Sequence, residues 1–425
     1  MLIRLLALSL TLIAPALAQG ELRGHGGPVR AIAVTPDGTR AISGSFDQSA
    51  IVWALERGVA LGVLRVHEGA VNAVALLPDG RFATAGEEGG IAIWRADDFA
   101  TPAALMKPHT APVSALAMSP DGRTLASASW DSTLALTPLS GGAPRRFEGH
   151  QGNVNGVAFT HEGRTLVSAG YDATLRLWPL DGGTARLLRL PAALNALAVS
   201  RTGEIAASGS DGSLFLLAAD GTLRATIEAA DTPVIALAFS PDGARIAAAS
   251  PRGAVSLFET ASGKPIFTLS GPGLPVWSLA FTPDGRHLLT GGGDRLVRRW
   301  DARSGEHLGP VVIARPADVF SGLEGGRGAE VFKACAVCHT LTPDGENRAG
   351  PSLHGVMGRR IGTVPGYRYS PGFSAHDITW SRETVARLFE LGPSTYTPGT
   401  KMPEQIVGSA EDRAALVEFI EKAGR

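Results

Sequence analysis

One turn dipeptide recurs along this 425-residue chain and constrains its fold more than any other feature. Its second residue is always glycine, and successive glycines lie 40 to 42 residues apart, at Asp37-Gly38, Asp79-Gly80, Asp121-Gly122, Glu162-Gly163, Thr202-Gly203, Asp242-Gly243 and Asp284-Gly285. An alternating apolar segment precedes each pair, and a segment rich in Ala, Ser and Leu follows it. A period near 40 residues with several strands per unit predicts a β-propeller, here of seven blades.

The unit resembles the WD40 repeat, in which a His, a Ser or Thr, an Asp and a Trp form a hydrogen-bonded tetrad within each blade. Two repeats carry the complete tetrad, the first with His25, Ser43, Asp47 and Trp53 and the fourth with His150, Ser168, Asp172 and Trp178. We interpret these residues as structural and not catalytic, because a buried imidazole needs partners for both nitrogens and the tetrad supplies them.

Other repeats are incomplete. Thr137 stands at the Trp position of repeat three, and repeat seven lacks the His. Repeats five and six have Leu217 and Phe258 at the Trp position, and we expect apolar packing alone to hold those two blades. The sequence does not decide which segment forms the strand that closes the ring. Either the N-terminal residues 21–25 or the segment 307–313 could complete the last blade.

After Arg315-Pro316 the 40-residue period stops and helical patterns begin. We therefore predict a propeller over residues 19–315, a linker over 316–324 and a small all-α domain over 325–425. Both cysteines of the chain lie in this last domain, in Cys335-Ala336-Val337-Cys338-His339. The pattern C-x-x-C-H is the attachment sequence of a c-type haem, with two thiols one helical turn apart and an adjacent His as an iron ligand. A redox dithiol and half of a zinc site are the alternatives.

The second axial ligand is expected to be a methionine. Met357 and Met402 are the candidates in this region. We favour Met402, because it follows Tyr396-Thr397-Pro398-Gly399-Thr400-Lys401, a Pro/Gly loop between two predicted helices that can hold a thioether at the iron with little loss of entropy.

Residues 325–425 resemble a class I cytochrome c of the mitochondrial type. Gly328 and Phe332 match the family's N-terminal helix, and the loop 350–355 matches the segment whose proline carbonyl, here Pro351, accepts the axial imidazole N–H. The resemblance also implies that Arg359, Tyr369 and Trp380 bind the haem propionates, and that Thr400 and Lys401 belong to the ligand loop. Phe389 departs from the family, which has a tyrosine near the methionine ligand.

The N-terminal residues 1–18 have the layout of a secretory signal peptide: Arg4, a short apolar run, Pro15 and Ala16-Leu17-Ala18 as a cleavage pattern. An uncleaved anchor is the alternative, but the run is short for a membrane span. We therefore expect a periplasmic protein with no membrane insertion after cleavage. The net charge of −1 argues against a nucleic-acid partner.

From these features we expect an all-β, seven-bladed WD40-type propeller followed by a small all-α class I cytochrome c domain with one covalent haem c. Its predicted function is to carry single electrons to or from a protein partner that the propeller docks, without a catalytic site of its own. The competing hypothesis is a propeller dehydrogenase that passes substrate electrons to its own haem, although no nucleotide or quinone motif supports it. A scaffold that places the cytochrome beside a membrane enzyme is a third possibility.

Overall fold

The computed structural model describes residues 20–271, 274–308, 326–336, 339–343, 350–365, 367, 369, 373, 376–398, 400, 402 and 406–424, without the side chains of residues 270, 333, 334, 336 and 394. Within these ranges the chain forms seven four-stranded antiparallel sheets, followed by a small helical domain. The predicted fold class is confirmed. The predicted signal peptide and linker lie outside the described residues.

The first strand, β1 (Glu21–Leu22), belongs to the last sheet, and each of the next six sheets uses four consecutive strands. Blades one to three contain β2 (Val29–Val34), β3 (Arg40–Ser45), β4 (Ala50–Ala54), β5 (Val59–Leu64), β6 (Val71–Leu76), β7 (Phe82–Gly86), β8 (Ile91–Trp94), β9 (Ala104–Met106), β10 (Val113–Met118), β11 (Thr124–Ser129), β12 (Leu134–Pro138) and β13 (Arg145–Phe147).

The remaining blades follow the same plan. Blades four to six contain β14 (Val154–Phe159), β15 (Thr165–Gly170), β16 (Thr174–Pro179), β17 (Arg186–Arg189), β18 (Leu194–Val199), β19 (Ile205–Gly209), β20 (Ser213–Leu217), β21 (Leu223–Glu228), β22 (Ala236–Phe239), β23 (Arg245–Ala249), β24 (Ala254–Glu259) and β25 (Pro265–Ser270). Blade seven contains β26 (Val276–Phe281), β27 (His287–Gly292), β28 (Val297–Asp301) and the first strand.

The recurring glycines lie in the turns between the first two strands of each blade. All seven have a positive φ, between 66° for Gly285 and 92° for Gly203, a conformation that side chains with a Cβ rarely adopt. The apolar core lies between neighbouring blades. Between blades four and five, for example, Val167 packs in one cluster with Leu194 and Phe215. Each blade therefore needs its neighbours to bury its faces, as expected for a repeat fold.

The tetrads are closed hydrogen-bond networks. In blade four, the indole Nε1 of Trp178 donates to the Ser168 hydroxyl at 2.9 Å. That hydroxyl lies 2.8 Å from Nε2 of His150, whose Nδ1 lies 3.1 Å from Asp172. Because an ionised carboxylate only accepts, the imidazole proton lies on Nδ1 toward Asp172, and Nε2 of the neutral ring accepts from the Ser168 hydroxyl. Blade one repeats this network with corresponding distances of 2.7, 2.8 and 3.0 Å, at Trp53, Ser43, His25 and Asp47.

Blades five and six have lost the hydroxyl and the indole together. The register places Ala207 of blade five where blade four has Ser168, and Leu217 where blade four has Trp178. Blade six has Ala248 and Phe258 at these positions, and all four side chains are buried. A purely apolar pair leaves no polar group without a partner, which explains how these blades keep the fold without the tetrad.

The N-terminal strand closes the ring. Glu21 and Leu22 pair with Arg298 and Val297, and the amide of Arg299 donates to the carbonyl of Gly20 at 2.9 Å. The second candidate segment also pairs with the last blade. His307 forms an isolated β-bridge with Trp300, and the amide of Leu308 donates to the carbonyl of Arg299. Residues 309–313 of that segment lie outside the described residues.

Blade seven has no tetrad histidine, and Arg298 takes its place. Nε of Arg298 donates to the Asp294 carboxylate at 2.7 Å, and its Nη1 donates to Glu21 of the closing strand. Trp300 still donates to Thr290 at 2.9 Å. The closing contact is therefore a buried carboxylate–guanidinium–carboxylate network, which the tetrad pattern did not predict.

The described part of the C-terminal domain contains α1 (Gly326–Ala336), α2 (Arg382–Leu391), the short α3 (Pro393–Tyr396) and α4 (Ala410–Ala423). Helices α2 and α4 are both capped, with the side chains of Ser381 and Ser409 accepting backbone N–H groups at their starts. The first and last helices cross closely at Gly328, where glycine is needed because a Cβ would overlap the carbonyl oxygen of Ala415. No described helix is long and apolar enough to cross a membrane.

Candidate haem site

A cavity of about 400 Å³ is lined mainly by residues of the helical domain. In that domain its walls come mostly from α1, from the loop that follows it, from α2, and from the loop between α3 and α4. Most of the residues that the sequence singled out line it: Cys335, His339, Pro351, Arg359, Tyr369, Trp380, Thr400 and Met402. Cys338 and Lys401 lie outside the described residues, so their predicted roles stay predictions.

His339 is held in one orientation. Its backbone amide donates to the carbonyl of Cys335 at 2.9 Å, which connects it to the last described turn of α1. Its Nδ1 lies 2.7 Å from the carbonyl oxygen of Pro351, an oxygen that can only accept. The ring proton is therefore on Nδ1, and the lone pair is on Nε2, the nitrogen suited to a metal. A Cβ at Gly350 would overlap this ring, so glycine allows the loop to approach it.

The predicted methionine lies in the loop between α3 and α4. Met402 lines the cavity, whereas Met357, the alternative, packs into the surrounding core without lining the cavity. The Met402 amide donates to the Thr400 hydroxyl at 3.1 Å. The Thr400 amide in turn donates to the carbonyl of Thr397. The buried hydroxyl of Thr397 donates to the carbonyl of Pro393. These bonds connect the methionine to α3 and restrict the conformations of its loop.

The three predicted propionate ligands lie close together. The Trp380 amide donates to the Arg359 carbonyl at 2.9 Å, so the backbone pairs these two residues. The Arg359 guanidinium donates to the carbonyls of Ser352 at 2.7 Å and His354 at 3.0 Å. Burial lowers the pKa of Arg359, although Tyr369 opposes that shift, and burial raises the pKa of Tyr369. The site thus holds a guanidinium and a neutral phenol, both suited to a carboxylate.

Comparison with known proteins identifies both parts of the chain. The family described as "WD domain, G-beta repeat" matches residues 18–54, 58–95, 101–136, 142–179, 221–259 and 263–301, which is more than half of the chain. The family described as "Cytochrome c" matches residues 326–424. The chain is a WD40-repeat protein with a C-terminal cytochrome c domain. The stretch left unmatched between residues 179 and 221 includes most of blade five, the blade in which Ala207 and Leu217 replace tetrad residues.

Curated relatives of this WD40–cytochrome c protein match its C-terminal domain. Cytochrome c of Gibberella zeae is 41% identical over 95 residues, which are 22% of this chain and 89% of the relative. Cytochrome c type-1 of Ascaris suum is 42% identical over 98 residues, 22% of this chain and 84% of the relative. Cytochrome c2 of Blastochloris viridis is 34% identical over 115 residues, 27% of this chain and 90% of the relative.

The cofactor of the WD40–cytochrome c protein is a covalently bound haem c. The described residues fit this group, because the cavity is largely apolar, Gly350 leaves room beside His339, and a thiol, an imidazole and a thioether line the same space. Within the described ranges no three His, Cys, Asp or Glu side chains converge, as a complete zinc site would require. When bound, haem supplies reversible one-electron chemistry at its iron.

Phe373 also lines the cavity of the WD40–cytochrome c protein, although no sequence motif indicated it. Its ring stacks on Tyr369 with centroids 5.3 Å apart and an angle of 2° between the planes, and it lies 6.5 Å from Trp380. All three rings line the cavity, so Phe373 adds an apolar surface to the predicted propionate side. An aromatic residue four positions after Tyr369 was the only available signal, and it matched no motif.

Proposed function

We propose that this protein is an exported carrier of single electrons, and that its propeller docks the protein with which it exchanges them. The observation that carries the proposal is that His339 and Met402 line one cavity with Cys335. An imidazole and a thioether would together occupy both axial positions of the iron, which leaves no coordination position for a substrate. Such a site exchanges electrons and does not bind a reactant at the metal.

Exposed aromatic rings on the propeller support the docking role. Trp130 and Tyr171 each lie one residue before the acidic tetrad residue, in the turn between the second and third strands of blades three and four. Their exposed fractions are 43% and 56%. Because the positions are equivalent, the rings lie at the same end of the propeller. Large aromatic side chains often dominate the binding energy of protein interfaces.

Trp130 and Tyr171 form what we call the aromatic turn surface. Trp130 is fixed because its Nε1 donates to the Asn155 side chain at 3.0 Å, and Asn155 donates to the carbonyl of Leu194 at 2.9 Å. A ring held in this way loses little side-chain entropy on binding. Residues 320–425, the cytochrome domain with the end of the linker, contain twelve basic and twelve acidic residues, so their net charge offers little electrostatic steering. A docking surface on the propeller would supply the missing selectivity.

Export is the other part of the proposal. It is supported by the signal-peptide layout of residues 1–18 and by a cysteine content limited to the haem motif. A bacterial periplasm fits both features. Fractionation of cells that produce the full-length chain tests this part, since haem-stained protein in the cytoplasmic fraction alone would contradict it.

The docking test uses the full-length haem protein and the double variant Trp130→Ala/Tyr171→Ala. Stopped-flow absorbance would follow haem reduction by periplasmic extract, with ascorbate as a small reductant for comparison. We expect the variant to react several-fold more slowly with the extract and at the same rate with ascorbate. Equal rates with the extract would contradict docking on this surface. Reduction by a small substrate without any added donor would support the dehydrogenase alternative instead.

A further inference from the structure

The haem cavity has a wall from outside the cytochrome domain. Gly26, Gly27 and Pro28, which precede the first strand of blade one, line it together with Phe46 and Gln48 from the next turn of that blade. These propeller residues share the cavity with His339 and Met402. The WD40 and cytochrome c families each match only their own part of the chain, so neither family assigns this shared wall.

The tetrad of blade one fixes this wall. The Phe46 amide donates to the Pro28 carbonyl at 3.0 Å, which joins the turn to the loop. The Asp47 carboxylate accepts from the Gly26 amide at 2.7 Å and from the Ser49 side chain at 2.6 Å. Nδ1 of His25 lies 3.0 Å from the same carboxylate. The loop and the turn therefore form one rigid unit.

A second contact supports the Phe46 ring. Trp277 of blade seven lies 6.3 Å from it, centroid to centroid, at an angle of 58° between the ring planes. The guanidinium of Arg30 lies 5.2 Å from the centroid of the Trp277 ring, within the range of a cation–π contact. The ring is thus held by a neighbouring blade although 43% of its surface is exposed.

We propose that blade one completes the haem site, and that Phe46 covers an edge of the bound haem that would otherwise face water. This inference rests on the carrier function proposed above. An apolar ring at this place excludes water and so disfavours the more highly charged ferric state, which raises the reduction potential. It also limits the approach of large redox reagents to that edge. The aromatic turn surface on blades three and four does not line the cavity and stays available to a partner.

The experiment compares Phe46→Ala and Phe46→Leu with Val63→Ala in the full-length haem protein. Val63 lies on the outer strand of the same blade, has an exposed fraction of 40% and does not line the cavity. We expect Phe46→Ala to lower the potential in spectroelectrochemical titration and to increase the rate of oxidation by ferricyanide several-fold. Phe46→Leu should retain most of the wild-type behaviour, and Val63→Ala should match the wild type.

A second measurement does not depend on stability. With fluorinated phenylalanine incorporated in the full-length protein, the ¹⁹F signal that is lost in Phe46→Leu is assigned to Phe46. That signal should shift between the ferric and ferrous states, because a ring at the haem edge lies within reach of the paramagnetic iron. An unshifted signal, or a potential in Phe46→Ala equal to that of Val63→Ala, would overturn the inference. Unchanged haem staining and partner kinetics in these variants would leave the proposed carrier function intact.

Discussion

At the scale of single residues, the Ser or Thr hydroxyl of a tetrad matters because it hydrogen-bonds to both the histidine and the tryptophan of its blade. In blade three, Ser127 keeps its contact with His109 at 2.8 Å, but the register places Thr137 where other blades have tryptophan. The buried Thr137 hydroxyl has no hydrogen-bond partner in the part of the chain that the structure describes. An unsatisfied buried hydroxyl costs about 1–3 kcal/mol, so this blade retains a polar group that blades five and six have removed.

Replacing Thr137 by valine should therefore stabilise the propeller by about 1 kcal/mol, because valine fills the same space without a hydroxyl. Thr290→Val is the matched control. The Thr290 hydroxyl accepts from Trp300 at 2.9 Å, and its loss should destabilise the protein by a similar amount. Urea unfolding followed by circular dichroism measures both changes. A destabilising Thr137→Val would mean that the hydroxyl has a partner after all.

The choice of iron ligand is also a single-residue matter. Met402→Ala should abolish the weak iron–sulfur absorption at the red end of the spectrum and lower the reduction potential, since a thioether favours ferrous iron more than water does. Met357→Ala should leave both properties nearly unchanged, because Met357 does not line the cavity. Visible spectroscopy and spectroelectrochemistry distinguish the two. The reverse result would assign the ligand to Met357.

Covalent attachment depends on the two cysteines, of which Cys335 is buried at the cavity wall. Cys335→Ala combined with Cys338→Ala should yield a folded propeller whose haem is lost on a denaturing gel, because no thioether bonds remain. Haem staining of such a gel, beside a circular-dichroism spectrum of the same sample, makes the comparison. Staining that survives the double substitution would exclude attachment at these cysteines.

At the scale of elements, the blades differ in how their buried acids and imidazoles titrate. Burial alone would raise the pKa of Asp47, but hydrogen bonds and charge from His25, with bonds from Ser49 and Gly26, outweigh it and lower that pKa to about 2. Burial would also raise the pKa of Asp172, but hydrogen bonds from Gln151, Thr174 and His150 outweigh it and lower that pKa to about 2. For His109 and His150, burial dominates and lowers the pKa below the ordinary value of 6.5, against the acids beside them.

These pKa shifts predict two pH ranges in which the stability of the propeller falls on acidification. A histidine with a lowered pKa stabilises the fold fully above about pH 6.5, and this contribution declines as the pH falls below that value, because the unfolded chain takes up the proton more readily. An aspartate with a lowered pKa stabilises the fold above about pH 4, and this is lost between about pH 4 and 2. The urea midpoint of the propeller should therefore fall from pH 7 to 5 and fall again below pH 4. A midpoint that rises toward pH 5 would contradict the histidine assignment.

The elements that the sequence predicted best are those that depend on local chemistry. The turn glycines and the two complete tetrads follow from residues within a single repeat, and the structure contains both features. Arg298 in place of a tetrad histidine could not be predicted, because its partner Glu21 lies 277 residues away. Phe373 and Phe46 were missed for the same reason, since each reaches the cavity only through tertiary packing.

At the scale of the whole molecule, the ring depends on one closing contact between its ends. Arg298 and Glu21 are both buried, and Glu21 also accepts from Arg23, whose side chain is largely exposed. Removing one partner of a buried ion pair leaves an uncompensated charge in the interior and costs about 3–5 kcal/mol. Loss of an exposed partner usually changes stability by less than about 1 kcal/mol.

Glu21→Ala should therefore destabilise the propeller by several kcal/mol, whereas Arg23→Ala should have little effect. Chemical unfolding of the full-length protein, followed by tryptophan fluorescence, compares the two variants directly. A Glu21→Ala protein as stable as Arg23→Ala would show that the closing strand contributes little to the ring.

The closing strand also sets the order of events during synthesis. Glu21 and Leu22 are among the first residues of the ring to leave the ribosome, yet their partners Arg298 and Val297 belong to its last strand. The sheet of blade seven therefore cannot be completed until almost the whole propeller has been made. Export of an unfolded chain, as proposed above, would meet this requirement, because both ends would reach the same compartment before the ring closes. The cytochrome residues follow directly, so a nascent chain long enough to close its ring is almost long enough to receive its haem.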